Sequence, residues 1–215
     1  RFEEGYAAIP RDGMEAIPKQ LVNGLKKTSF KFNTKVTAVK ESEIVLADQS
    51  VYPSDYTIVA GEASHLLVDD KKPVWKSCDT LYFTTKSKII TKKLIGLIPA
   101  KDSLINNVFY HTCLSTSTHP ENDLLSVTVV TNHALTKVEL RNRVEQELKE
   151  HCGIDDVDFL KHYAIPKALP KLSNIKYKAE SAVSYCNGKV FVAGDQELNS
   201  SLNAAILSGE RAAQD

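Results

Sequence analysis

The segment from Lys189 to Ala213 constrains this chain more than any other. Val190-Phe-Val-Ala193 is an apolar, strand-length run, and Gly194-Asp195 ends it. After Gln196–Asn199, either Ser200 or Ser201 stands where a helix N-cap belongs. Leu202, Ala205, Ile206, Ala212 and Ala213 then recur as an apolar stripe, while Ala204 and Gly209 keep the helix thin enough to pack closely. The pattern asks for a buried strand, a tight turn and a capped helix. Glycine lets a ligand or a backbone come close, and a carboxylate at a strand end can accept hydrogen bonds from sugar-like hydroxyls. The helix start offers free N–H groups and the positive end of its dipole to an electron-rich ligand atom. The same residues also suit a plain strand–loop–helix packing unit.

The rest of the chain divides into patterned regions. Near the N-terminus Gly13 opens a helix on which Met14, Ile17, Leu21, Val22 and Leu25 share a face, with Pro18 in the opening turn. Strands are expected at 31–39, 43–46 and 56–60, with a turn at Asp48-Gln-Ser50. Between Pro73 and Pro170, strand candidates at 80–84, 94–98, 107–112, 124–131 and 158–165 suggest an antiparallel sheet. One helix interrupts it, with Val138, Leu140, Val144 and Leu148 on the apolar face and Gly153 just beyond its end. Arg141, Arg143, Glu145, Glu147, Lys149 and Glu150 read as its solvated face. A strand at 182–185, the turn Asn187-Gly188 and the run at 190–193 form the strongest hairpin signal in the chain.

Composition narrows the function. Hydrophobic residues make up 42% of the 215 and charged residues 25%, as in ordinary globular proteins. Lys plus Arg and Asp plus Glu are balanced at 27 each, so nothing draws the surface toward nucleic acid or an anionic membrane. The longest apolar candidate, at 93–99, has the length of a strand, far short of the ~20 residues that span a bilayer. Cys78, Cys113, Cys152 and Cys186 form no CxxC pair and are expected as free thiols in a cytoplasmic protein. His111, His119, His133, His151 and His162 contain no HxH or HExxH grouping, so no metal is expected. Leu114-Ser-Thr-Ser-Thr118 lacks a surrounding GxSxG turn and reads as a polar loop.

The run Val190-Phe-Val-Ala-Gly-Asp-Gln-Glu-Leu-Asn-Ser-Ser-Leu-Asn-Ala-Ala-Ile-Leu-Ser-Gly-Glu-Arg-Ala-Ala213 resembles the C-terminal motif of the flavin amine oxidase superfamily, which includes phytoene desaturases and protoporphyrinogen oxidases. The family pattern has Gly where Ala204 stands, and often Gly at the position of Ser200. Asp12-Gly-Met-Glu-Ala-Ile-Pro18 is similar to the family's Gly-Gly-Met-Xaa-Xaa-Leu-Pro segment near the flavin, with Asp12 in place of the first Gly. Phe32–Val39 is similar to the strand whose valine, here Val36, meets the adenine end of FAD through its backbone. Tyr56–Ala60 and Pro166–Pro170 are similar to two further family stretches, and all of these occur in family order.

The resemblance implies an α/β fold with α+β character, a partial FAD-binding dinucleotide module plus an antiparallel-sheet substrate domain. Residues 1–70 would belong to the FAD domain, 71–170 to the substrate domain, and 171–215 to the closing FAD-domain segment. It implies FAD as cofactor, with Gly13, Met14, Val36, Gly194, Asp195, Ser201, Leu202, Asn203 and Ala204 at the cofactor. Hydride would pass from a small or apolar organic substrate to flavin N5. Lys76 is the nearest positional counterpart of a lysine that family members place by a water near N5, though a solvated surface lysine suits it as well. The family's GxGxxG loop, which binds pyrophosphate at a helix start, is missing, and the first residue is Arg1. The chain is therefore expected to be the C-terminal part of a longer enzyme that binds FAD weakly or not at all by itself. A non-catalytic module that binds a ligand or a partner is the alternative.

Overall fold

A computed structural model describes residues 8–62, 64–67, 74–115, 121–130, 132–178 and 185–215. The chain forms two compact units, one of Arg1–Ser29 with Ser77–Pro166 and the other of Phe30–Lys76 with Lys167–Asp215. The fold mixes helices with antiparallel sheets, as the sequence suggests.

In the first unit the alternation of the middle strands builds one sheet with one covered face. Its strands, with their ends in places running into the second unit, are β5 (Trp75–Thr85), β6 (Gly96–Leu97), β7 (Ile105–Tyr110), β8 (Asp123–Val129) and β9 (Val157–Pro170), in the order β6-β7-β8-β5-β9. β5 and β7 both run antiparallel to β8. Helix α2 (Lys137–Cys152) covers one face. Its start is a reciprocal cap in which the Glu139 N–H donates to Thr136 Oγ1 and the Thr136 N–H donates to Glu139 Oε2. Gly153, at φ 66°, ends it in the left-handed conformation that a Cβ would strain. Leu140, Val144 and Leu148 reach from the helix into Leu81, Phe83, Val108, Tyr110, Leu125 and Val127 of the sheet, and all of these are buried.

Helix α1 (Ala16–Gly24) departs from expectation. It begins at Ala16 rather than at Gly13, because Gly13 takes φ 85° and its N–H closes a turn on the Pro10 carbonyl. None of its residues is buried, and Met14, Leu21, Val22 and Leu25 are exposed.

The second unit holds two small sheets. β1 (Val36–Val39), β2 (Glu43–Leu46) and β3 (Val51–Pro53) form an antiparallel sheet. The expected turn at 48–50 is there, with Asp48 Oδ1 accepting from the Ser50 N–H and hydroxyl. The strand expected from 31 is confined to Val36–Val39. β10 (Tyr185–Asn187) pairs antiparallel with β11 (Val190–Ala193) across Asn187-Gly188, and β11 pairs parallel with β4 (Thr57–Ala60). Of the strand expected at 182–185, residues 182–184 lie outside the described set. Helix α3 (Leu202–Gln214) packs on β11, with Ala212 against Phe191 and Ala193.

Glu147 corrects the reading of α2. Its side chain is fully buried, whereas its helix neighbours on the expected charged face stay at least partly exposed apart from the core positions. Oε2 accepts from Ser103 Oγ (2.6 Å), the Leu104 N–H (2.9 Å) and the Ile105 N–H (3.2 Å), and Oε1 accepts from Arg143 Nε (2.7 Å). The carboxylate thus satisfies the backbone where β7 begins, a role that helical spacing does not reveal. Burial opposes ionisation, but these four donors outweigh it and hold the carboxyl below its ordinary value of 4.5. A depressed value contributes stability above the ordinary pKa and loses it as pH falls through the depressed one. Glu147→Ala takes the carboxylate partner from the Leu104 N–H and the Ser103 hydroxyl and leaves the Ile105 N–H only Ser103 Oγ, and it is expected to cost about 3 kcal/mol. A shift of the urea unfolding midpoint measures this, and a wild-type midpoint would contradict the clamp.

Candidate functional site

Two places in the fold can do chemistry, one in each unit. The first is the shared end of two parallel strands. β4 and β11 run in register from Thr57↔Val190 to Ala60↔Ala193, and the Gly61 N–H donates to the Ala193 carbonyl just beyond. Both strands therefore stop at the same level, each in a glycine. Ile58-Val-Ala-Gly61 even repeats the ending of Phe191-Val-Ala-Gly194. Carboxyl ends of parallel strands are where α/β folds bind ligands, because the turns there leave backbone groups free and helix starts point inward. Gly61 has φ 80° with open space around its Cα, so its conformation rather than a neighbour calls for glycine.

Gly194 and the turn after it are held in place from below. The Gly194 N–H donates to Ser208 Oγ (3.1 Å) of α3, a buried bond between strand end and helix. The Asp195 carbonyl accepts from the Leu198 and Ser200 N–H groups, which folds 195–197 into a 3-10 turn. The Gln196 side chain lies back over Gly194, so a Cβ there would displace it. Ser201 caps α3, its Oγ accepting the Ala204 N–H at 3.1 Å. Of the three N–H groups expected at the helix start, Ala204's serves the cap, which leaves those of Leu202 and Asn203. The Asp195 carboxylate is half-buried and meets no hydrogen-bonding or charged partner among the described residues. Nearby, burial pushes the Glu197 carboxyl up, and Lys176 opposes that only in part.

Gly194, Asp195, Ser201, Leu202, Asn203 and Ala204 thus share one strand-end turn and helix start. Val36 lies in the same unit, at a bulge in the β1–β2 pairing where Thr37 Oγ1 reaches the Val45 and Leu46 carbonyls. Gly13 and Met14 belong to the other unit. Gly61 was overlooked in the sequence, although the repeated Val-Ala-Gly ending signals it. Lys76 is exposed on β5. Cys78, Cys113 and Cys152 are free thiols, and the side chain of Cys186 lies outside the described set, as do His119 and residues 116–118.

The second place is the sheet face of the first unit opposite α2. Strand alternation turns Thr80, Tyr82 and Thr84 of β5, Asn107 and Phe109 of β7, and Leu124, Ser126 and Thr128 of β8 to this side. An outward sheet face ordinarily carries charges. The eight positions just named carry none, only hydroxyls, an amide, rings and one leucine, and the exposed Lys76 follows on the same side only at the start of β5. His111 Nε2 lies 3.0 Å from Ser126 Oγ, with its ring 5.1 Å from that of Phe109 and 5.9 Å from that of Tyr82. Tyr163 of β9 sets its ring edge-on to Tyr82 at 5.9 Å. Burial holds the His111 imidazole below its ordinary pKa of 6.5.

One more cluster went unseen in the sequence. Asp79 Oδ1 meets His162 Nε2 at 2.6 Å and Oδ2 meets His133 Nε2 at 3.3 Å, joining residues 54 and 83 positions apart. No short motif could announce it. Among the described residues no group of His, Cys, Asp and Glu has an arrangement that would hold a metal ion.

A family model described as flavin containing amine oxidoreductase matches residues 1–215. Among solved structures, a protein from Exiguobacterium sp. 255-15, provisionally named a protoporphyrinogen oxidase, is 14% identical with a TM-score of 0.66, covering 92% of this chain and 49% of its own. Putrescine oxidase bound to putrescine is 12% identical with a TM-score of 0.64, over 94% of this chain and 52% of its own. A fatty acid isomerase from P. acnes that produces CLA is 13% identical with a TM-score of 0.61, over 90% and 49%. The chain spans about half the length of these structures. Among curated proteins none matches it.

The bond from Gly194 to Ser208 is the joint on which the strand-end turn depends. Ser208→Ala leaves a buried N–H without a partner and is expected to lower stability by about 1–2 kcal/mol. Ser208→Thr, which keeps the hydroxyl, should retain part of that loss. Equal urea midpoints for Ser208→Ala and wild type would show that the joint contributes nothing.

Proposed function

The chain belongs to the family of flavin containing amine oxidoreductases, and from that premise we propose that it supplies the flavin-contacting closing segment and the substrate sheet of an FAD-dependent oxidoreductase of the amine oxidase/desaturase type. The observation that carries this reading is the common end of β4 and β11, where Gly61, Gly194 and an Asp195 carboxylate without a partner among the described residues lie before a capped helix. The residues present fit a flavin. A half-buried carboxylate without a partner suits hydroxyl donors on the ribityl or pyrophosphate side of FAD. The N–H groups of Leu202 and Asn203, with the positive end of α3, suit the electron-rich edge of the ring system. Val36 would meet the adenine end through its backbone.

FAD, when bound, supplies the electron acceptor for a hydride leaving an organic substrate. The chain's own part is to bind and orient. Asp195 fixes the cofactor's polar tail, and Ser201 holds the helix start rigid by capping it. Ser208 keeps the glycine turn at its level by accepting the Gly194 N–H. The outward face of β5, β7 and β8 takes the substrate's body, since the uncharged rings and hydroxyls from Thr80 to Thr84 and on the paired positions of β7 and β8 suit a small or apolar molecule. No acid–base triad is required for such a transfer, because orientation in a dry cavity does most of the protein's share.

These 215 residues contain no GxGxxG loop, so we take their own hold on FAD to be weak and their activity by themselves to be absent. In the full-length protein Asp195→Ala is expected to weaken FAD binding about tenfold, the worth of one or two hydrogen bonds to a charged group. The ratio of flavin to protein absorbance after dialysis reads this directly. Occupancy equal to wild type would remove Asp195 from the cofactor site.

A further inference from the structure

We propose that His111, held by Ser126 on the sheet face opposite α2, is a preset hydrogen-bond acceptor that selects an uncharged aromatic or otherwise planar substrate bearing an O–H or N–H donor. This rests on the oxidoreductase reading and names the substrate class for it. The Ser126 hydroxyl has one proton, and the Phe109 carbonyl lies 3.4 Å from its oxygen in position to accept it. Ser126 Oγ then accepts from the Nε2–H of His111 at 3.0 Å. With the proton on Nε2, Nδ1 carries a lone pair. Among the described residues nothing hydrogen-bonds Nδ1.

The surroundings select for ring systems. Phe109 stands edge-on to the imidazole at an interplanar angle of 83°, and Tyr82 and Tyr163 stand at 90° to one another. Such edge-on rings form slots into which a further planar ring packs. The outward positions of β5, β7 and β8 hold no carboxylate to pair with an ammonium group. The charge recorded against these rings is itself a cation, Lys161, whose Nζ lies 5.7 Å from the Tyr163 ring. Burial keeps the imidazole uncharged at neutral pH, so it accepts rather than repels or donates. A flat molecule that donates one hydrogen bond satisfies Nδ1 and packs on the rings, whereas an ammonium group finds no carboxylate at these positions and meets the Lys161 charge beside Tyr163.

The test compares two probes of the same shape on the full-length protein, p-cresol, which can donate a hydrogen bond, and 4-methylanisole, which cannot. Binding is followed by saturation-transfer NMR of the probes in every variant and, where His111 is present, also through its ring nitrogens by 15N NMR, with benzylammonium as a cationic competitor. The expected result is that p-cresol shifts the Nδ1 resonance and binds about tenfold more tightly than 4-methylanisole, while benzylammonium fails to displace it. In His111→Phe, which keeps a ring and loses the acceptor, the two probes should bind alike. Ser126→Ala, which frees the ring to change tautomer, should narrow their difference, and it serves as the test if His111→Phe fails to fold. Equal binding of both probes to wild type, binding of neither, displacement by benzylammonium, or an unchanged preference in either variant would overturn the proposal. Flavin absorbance of the same sample tests the underlying reading separately. A flavin-free protein that still prefers p-cresol would remove the oxidoreductase reading and keep the recognition site.

Discussion

The in-register pairing of β4 with β11 is the constraint on which the second unit depends. Two segments more than a hundred residues apart in the chain come together there as parallel strands, and parallel strands can never be joined by a tight turn. Closing so long a loop has an entropic cost that local structure cannot offset. The cost is met by apolar burial, since Val59, Val190, Phe191 and Ala193 are all buried. The pairing also sets the register to the residue. A slip by one would put Gly61 and Gly194 at different levels and turn Ser208 away from the Gly194 N–H. The strand-end turn is thus a product of long-range packing even though every residue in it is local.

The first unit is organised by a different economy. Its sheet buries one face under α2 through ordinary alternation, and the buried set is almost wholly aliphatic and aromatic. Among the described residues of that interior Glu147 is the charged exception, beside the buried hydroxyls of Thr85 and Ser126. A buried carboxylate is tolerated only when each lone pair is used, and here two backbone N–H groups, a hydroxyl and a guanidinium use them. The helix is therefore locked to the start of β7 in one position rather than merely resting on the sheet. That rigidity matters for the opposite face, where His111, Ser126, Tyr82 and Tyr163 meet.

Much of this was legible because the signals are short-range. The Asn187-Gly188 turn, the Ser201 cap and the Gly153 stop each involve residues within a few positions of one another, so propensity and spacing suffice to find them. The α2 stripe and the middle strands emerged for the same reason, with ends displaced by a residue or more. Where local reading failed, a distant partner decided. Glu147 looked like one more charge on a solvated face until the start of β7 was found against it. Asp79 joined His133 and His162, which no spacing connects. The apolar stripe of α1 suggested a packed face, yet none of the helix's residues is buried.

By itself, then, the sequence determined the family and the kinds of element, together with the Gly-Asp turn and capped helix that would meet a flavin. Those come from backbone conformations and side-chain periods that each residue carries with it. Only the tertiary structure decided that β4 lies parallel to β11, that Gly61 joins Gly194 at one edge, and that His111 sits on Ser126 among rings. Such facts depend on which strands pair and in what register. That choice is made by the free energy of burying a whole face at once, which no single stretch of sequence contains.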